Sequence, residues 1–376
     1  MILKNSDFQE FSLNVHLNGK KIVFWGAGTI LTTWIPYICQ TYSLYDSIQC
    51  CIDNDEKKIG KRIQIGQKMI TVQGMTTLLE YNVNDIIILI TSSYFADIIE
   101  QLDCILELST VQCYIAPIMH ITHCNNTNYN QTKVSSNVKI PKVIHYCWFG
   151  DGDMPERNLK CIESWKRHCP DYEIIRWDEH NYDISKNKYM KQAYENKYWG
   201  FVPDYARVDI LYQYGGLYFD TDVELLREPT ELMNLEGFCS FEEWPNLNFG
   251  SGSGSVKGNE VLKKILDFRR NVDFVRHDGT FDLRSCGYFE TNPLVDLGLK
   301  LDGTMQKVKD FTILPSVYFN PLSTITGRKN INELTVGIHY MNWSWVSSER
   351  KNERQRTEQN YDRIITRIAE GGKKNG

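Results

Sequence analysis

What this chain lacks narrows its class first. Its longest unbroken aliphatic run is Ile86–Ile90, far short of the roughly 20 apolar residues that a membrane-spanning helix needs. No transmembrane span is expected. An excess of base is missing too: 42 Lys+Arg stand against 47 Asp+Glu, for a formal charge of −5. Without a basic footprint a nucleic-acid partner is not expected. The opening MILKNSDFQEF carries two acids and no basic segment leading into an apolar one, so a secretory leader is not expected either. Cysteine is plentiful, but the 11 are odd in number and contain no C-x-x-C pair. Reduced thiols in a cytoplasm fit this better than a disulfide framework.

What is present suggests several domains. The 376 residues imply two to three at about 150 each. Residues 20–119 alternate short apolar strands with helix-like stretches, so a Rossmann-like, doubly wound parallel sheet is expected for residues 1–119. Residues 30–42 read as a helix that Pro36 should kink. Residues 120–139 are rich in Asn, Thr and Ser and read as a linker. There His120, His123 and Cys124 fall close together, but solvated loop residues explain them better than a metal site.

A second α/β region opens at residue 140. Residues 140–150 form an apolar strand ending in Trp148-Phe149-Gly150, 156–168 a helix and 172–177 a strand. Residues 203–214 form a helix started by Pro203 and stopped by Gly215-Gly216. The strand 217–225 comes next, then a strand over 237–241, a Gly/Ser loop over 246–255 and a helix over 260–270. The last 31 residues, 346–376, form a charged tail with Tyr361, Ile364, Ile365 and Ile368 at helical spacing. That tail is expected to pack on the second region. Its Arg350, Lys351, Arg354, Arg356, Arg363 and Arg367 offer an alternative contact with an anionic membrane surface.

The strongest chemical signal is Tyr218-Phe-Asp220-Thr-Asp222-Val-Glu224. On one extended strand Asp220 and Asp222 would share a face, opposite Leu217, Phe219, Val223 and Leu225. Two adjacent carboxylates repel unless a cation sits between them, and hard oxygen donors favour Mg2+ or Mn2+. Upstream, Asp204 and Arg207 stand i, i+3 on one helix face. A carboxylate paired with a guanidinium fork is suited to sugar hydroxyls, although a plain surface ion pair is the simpler account.

The run D-Y-A-R-V-D-I-L-Y-Q-Y-G-G-L-Y-F-D-T-D-V resembles the signature of glycosyltransferase family 32. That family includes bacterial capsule and lipopolysaccharide transferases and fungal mannosyltransferases, and is distantly related to clostridial toxin glucosyltransferase domains. The strand I-P-K-V-I-H-Y-C-W-F-G and the element Ile338-His339 to Ser344-Trp345 are similar to the family's first strand and closing element, so the likeness brackets residues 140–345. It implies a GT-A nucleotide-diphospho-sugar transferase domain that is metal-dependent and retains anomeric configuration. Asp222 would ligate the metal directly, and Asp220 would bridge metal, ribose and sugar. His339 would complete the metal shell or touch the diphosphate. Asp204 and Arg207 would hold donor hydroxyls, Trp148 would stack on the base, and Ser344 and Trp345 would close over the diphosphate. Where relatives carry Gly-Pro before a helix, this chain has Thr291-Asn292-Pro293, which leaves the acceptor side open.

The resemblance thus implies a hexosyltransferase using a nucleotide-diphosphate sugar, UDP-sugar favoured, with Mn2+ or Mg2+. Its acceptor would be a glycan or lipid-linked oligosaccharide of a bacterial surface polysaccharide, assembled at the inner face of the membrane. Two alternatives stay open. One is a haloacid-dehalogenase-like phosphohydrolase built on Asp220 and Asp222. The other is a nucleotide-sensing scaffold acting through the first domain, where Gly26, Gly28 and Asp53 form part of a dinucleotide-binding fingerprint.

Overall fold

The structure is a computed structural model that describes residues 1–126, 137–150, 152–243, 246–323, 329–341 and 348–373. The chain forms two units, one of residues 1–127, 324–327 and 348–376, the other of 128–323 and 328–347.

In the first unit the order is β1 (Ile2–Leu3), α1 (Phe8–Leu17), β2 (Lys21–Trp25), α2 (Ile35–Thr41), β3 (Ile48–Ile52), β4 (Arg62–Ile65), β5 (Lys68–Gln73), β6 (Ile86–Ile90), α3 (Phe95–Asp103), β7 (Gln112–Ile115) and α4 (Ala116–Asn126). The sheet runs β1-β7-β6-β2-β3-β5-β4, with every pairing parallel except the β4/β5 hairpin. All five residues of β6 are buried, as befits a central parallel strand covered on both faces. The doubly wound sheet is therefore observed. The hairpin and α1 add to the sequence reading. Residues 30–41 are helical as expected, with a π segment over Ile30–Trp34 running directly into α2, whose first turn contains Pro36.

The linker reading for residues 120–139 needs correction at its start. Helix α4 runs through residue 126, and His120 is buried edge-on to Trp34, with ring centroids 4.8 Å apart. The apolar Ile118-Met119 pair beside it is buried, so packing overrides the polar composition of the next few residues. The side chains of His123 and Cys124 lie outside the described residues.

The second unit contains β8 (Val143–Cys147), α5 (Glu156–His168), β9 (Glu173–Trp177), α6 (Lys188–Glu195), α7 (Pro203–Tyr214), β10 (Gly216–Tyr218), β11 (Val223–Leu225), β12 (Gly237–Phe241), β13 (Leu247–Ser255), α8 (Glu260–Arg269), α9 (Cys286–Val295), β14 (Gln306–Val308), β15 (Phe311–Leu314) and β16 (Gly337–His339). Its main sheet runs β14-β15-β12-β13-β10-β8-β9, and β11 pairs with β16 in a separate two-stranded sheet. Both units are thus α/β.

Two expectations change here. Residues 217–225 are not one strand: β10 and β11 belong to different sheets, and a turn closed by Val223 N–H on Asp220 C=O at 3.0 Å joins them. Residues 246–255 are not a loop, since nearly all of them form β13. That strand is buried along its whole length and pairs antiparallel with both β10 and β12. Its glycines lie where neighbours leave no room: a Cβ on Gly254 would stand 2.6 Å from Phe238 and 2.7 Å from Leu217.

The tail forms α10 (Ser348–Lys373) and packs within the first unit, which corrects the expectation that it lies on the second. Arg356, Arg363 and Arg367 pair with Asp97, Glu100 and Asp103 of α3. These three bases are neutralised by acids of the chain itself, which weakens the membrane-surface alternative. The side chains of Arg350, Lys351 and Arg354 lie outside the described residues. Ile364 and Ile368 are buried. Exposed ion pairs contribute about 0–1 kcal/mol each, whereas emptying a buried Ile site costs about 2–5 kcal/mol. Ile364→Ala is therefore expected to destabilise the first unit several-fold more than Arg363→Ala, as read from urea unfolding midpoints of the full chain.

Candidate active site

The site is assembled around the turn between β10 and β11. Asp220 follows β10, which lies parallel to β8, and its N–H donates to Gly250 C=O of β13 at 2.7 Å. Asp222 immediately precedes β11, where Val223 registers with His339 of β16. Helix α5 pins β11 from behind: Trp165 Nε1 donates to Val223 C=O at 2.7 Å, and Leu225 N–H donates to Ser164 Oγ at 2.9 Å. Two acids separated by one residue are thus brought together by a turn, not by strand alternation.

Asp220, Asp222 and His339 each offer a ligand atom, and these atoms lie within 4.8 Å of one another. His339 Nε2 stands 3.3 Å from Asp222 Oδ1. The far side of the imidazole is fixed by Asn320. Its Nδ2 donates to Phe241 C=O, Ser240 Oγ and Ser251 Oγ at 2.9–3.1 Å, which turns Oδ1 toward His339 Nδ1 at 3.3 Å. This network assigns a hydrogen to Nδ1 and leaves Nε2 as the coordinating nitrogen, an outer-layer hydrogen bond common at metal-binding histidines. Burial pulls the pKa of His339 down, but the charge and hydrogen bond of Asp222 lift it above its ordinary value. A cation taking the place of that proton is therefore matched by the donor set of two carboxylates and one imidazole.

Beneath Asp220 lies a buried charge cluster. Arg207 Nη2 is 3.1 Å from Asp204 Oδ1 and 3.3 Å from Asp220 Oδ2. The side chains of Arg207 and Asp204 are only 4% and 5% exposed, against 25% for Asp220. They form the floor of the site, not a surface ion pair. Burial works against the charge on Arg207, yet Asp220 and Asp204 hold its pKa well above the usual range. Burial raises Asp204 above the ordinary carboxylate value, with Arg207 and Arg269 opposing. Arg269 of α8 reaches Asp204 Oδ2 at 3.7 Å, and Glu290 of α9 reaches Arg207 Nη1 at 3.6 Å. Sequence reading missed both Arg269 and Glu290.

Trp148 sits just beyond β8, at the same end of the sheet as Asp220. It is half-buried, and its Nε1 donates to Gly152 C=O at 2.8 Å. It is not a core tryptophan. His145, by contrast, is structural: it accepts from Trp177 Nε1 at 3.1 Å, lies 3.0 Å from Gly215 C=O, and is held by burial at a pKa of about 4. Ser344 and Trp345 lie outside the described residues.

In the first unit Gly26 and Asp53 do come together, but the carboxylate serves its own loop. Asp53 Oδ2 accepts from Ala27 N–H at 2.7 Å and from Lys58 at 3.0 Å, while Oδ1 accepts from Asp55 N–H at 2.8 Å. Gly26, at φ +116°, meets Ser92 and Thr91, whereas Gly28 faces open space. The Asp53 carboxylate is thereby committed to the β2 and β3 turns.

Residues 155–239 match the family model described as the glycosyltransferase sugar-binding region containing a DXD motif. The likeness to that family covers 85 of the 376 residues. The DXD segment carries α5, α7 and the acidic turn. The chain resembles inositol phosphoceramide mannosyltransferase 1 of Schizosaccharomyces pombe at 36% identity over 23% of its own length and 28% of that protein. Likeness to mannosyltransferase 3 of the same yeast is 29% over 37% of this chain and 40% of that protein. The chain therefore spans less than half the length of these relatives. Among solved structures, a glycosyltransferase involved in glycosylating the major capsid of PBCV-1 aligns at 12% identity with a TM-score of 0.31, covering 58% of this chain and all of that one. Among the described residues, no helix is long and apolar enough to cross a membrane.

Proposed function

We propose that the second unit is a metal-dependent, retaining glycosyltransferase of GT-A type. It would move a hexose from a nucleotide-diphosphate sugar, with UDP-sugars favoured, to a glycan or lipid-linked acceptor in bacterial capsule, exopolysaccharide or lipopolysaccharide assembly. The observation that carries this reading is the meeting of Asp220, Asp222 and His339 within 4.8 Å, directly above a guanidinium shared by Asp204 and Asp220. Asp222 and His339, with Asp220, would hold Mn2+ or Mg2+. Such an ion neutralises charge that builds on a departing diphosphate. Arg207 orients Asp220 from below and, with Asp204, offers donor and acceptor groups to sugar hydroxyls. Trp148 offers a ring face for the base from the neighbouring strand end. The mannosyl specificity in the relatives' names supports including GDP-mannose among candidate donors.

The test is a thermal-shift panel of UDP-glucose, UDP-galactose, UDP-N-acetylglucosamine and GDP-mannose, each with and without Mn2+. One donor is expected to raise the melting temperature only when Mn2+ is present. At a hundredfold excess over Kd the stabilisation is about 2.7 kcal/mol. No shift for any donor with metal overturns the assignment.

A further inference from the structure

Glu290 occupies the interior of α9 and is completely buried. Its carboxyl group is anchored on one side, where Phe249 N–H donates to Oε2 at 2.9 Å. The other oxygen, Oε1, faces Arg207 Nη1 at 3.6 Å, and among the described residues neither atom has a hydrogen-bond partner. Two buried polar atoms left unpaired in direct opposition are costly, at about 1–3 kcal/mol for each such group. A displacement of less than an ångström would satisfy both. The next residue of β13, Gly250, presses on the same guanidinium: a Cβ there would stand 2.8 Å from Arg207 Nη1 and 2.1 Å from Asp220 Oδ2. One short piece of β13 therefore ties the Glu290 carboxyl, the Arg207 fork and the Asp220 carboxylate into a single stack. Burial pushes the Glu290 pKa up to about 8, opposed by Arg207 and by the Phe249 amide. A carboxyl in that position responds to small changes around the guanidinium.

We propose that Glu290 is a positioning residue that sets the Arg207 fork from the protein side and so controls how the site reads the donor's sugar. The inference rests on the donor-site reading above. Glu290 lies behind Arg207 and touches no cation ligand among its hydrogen bonds and ion pairs. Its effect should therefore fall most heavily on the sugar, because Arg207 bears on the nucleotide only through Asp220. A merely structural carboxyl would not make that distinction.

The experiment uses the full chain and the donor selected by the wild-type panel. Calorimetric Kd values are measured with Mn2+ for the nucleotide sugar and for its parent nucleoside diphosphate, in wild type, Glu290→Gln and Glu290→Ala. Gln keeps the acceptor for Phe249 N–H and the side-chain volume, so it remains informative if the Ala variant does not fold. The expected result is an increase of about tenfold or more in Kd for the nucleotide sugar, which is about 1.4 kcal/mol, with a several-fold smaller increase for the diphosphate. Equal losses for both ligands, or unchanged values for both, overturn the inference. Wild-type protein that binds no nucleotide sugar in Mn2+ would sink the donor-site reading itself.

Discussion

Asp222→Ala is expected to cut the proposed metal-dependent sugar transfer sharply while leaving the fold intact. The turn that bears Asp222 is held by its backbone: Val223 N–H donates to Asp220 C=O, and Tyr340 N–H donates to Asp222 C=O at 3.1 Å. Alanine keeps both bonds. What is lost is the carboxylate that faces His339 Nε2, leaving Asp220 and one imidazole to hold a divalent ion. Removing one group aimed at developing charge costs about 10²–10³ in rate. A metal ligand belongs at the upper end of that range or beyond it, so a fall of about a thousandfold in kcat/KM is expected. The measurement is product formation from the panel-selected donor, beside melting temperatures taken with and without Mn2+. A variant that melts like wild type without metal, and gains nothing when Mn2+ is added, bears out the role. Full activity would remove Asp222 from the reaction.

Gly250→Ala is expected to cost about a hundredfold in rate without replacing any side chain of the candidate site. An added Cβ would lie 2.1 Å from Asp220 Oδ2, 2.7 Å from Asp220 Cγ and 2.8 Å from Arg207 Nη1. No real Cβ tolerates such approaches, so one side chain must leave. Asp220 has the easier exit, because its side chain is 25% exposed while that of Arg207 is 4% exposed. Overpacking of this kind costs about 1–3 kcal/mol of stability. The misplacement of Asp220 by an ångström or more costs about 10² in rate. The two readouts should therefore separate, with a modest fall in melting temperature beside a fall of about a hundredfold in kcat/KM. A wild-type rate in this variant would show that β13 does not set the position of Asp220.

The effect expected at Gly250 rests on a feature that sequence patterns hid. Residues 247–255 read LNFGSGSGS, and a strand whose small residues face both ways carries almost no hydrophobic alternation to detect. Turn chemistry was the natural reading, yet the glycines serve close approach inside a sheet. The acids at 220 and 222 were legible because like charges so close together demand an explanation. Their geometry was not: period-2 logic placed them on one strand, whereas the chain changes sheets between them. The buried pattern of Leu217, Phe219, Val223 and Leu225 survives this change, which is why the sequence looked continuous. Helix α5 was readable from its stop at Cys169-Pro170, and α7 from Pro203 and Gly215-Gly216. Glu290 and Arg269 carried no such mark, since an acid or a base within a helix usually faces water. Only long-range packing shows that both point inward to the same cluster. The likeness to DXD transferases pointed to this cluster, and the side-chain network explains how its members are held.

The placement of α10 has a consequence for biosynthesis. Residues 1–126 leave the ribosome long before residues 348–373, yet both contribute to the first unit. During translation the early sheet must wait with the apolar patch that later receives Ile364 and Ile368 uncovered, while the intervening unit is made. Completion of the amino-terminal unit is thus deferred until the tail helix emerges, and incomplete chains would present that patch to chaperones and proteases.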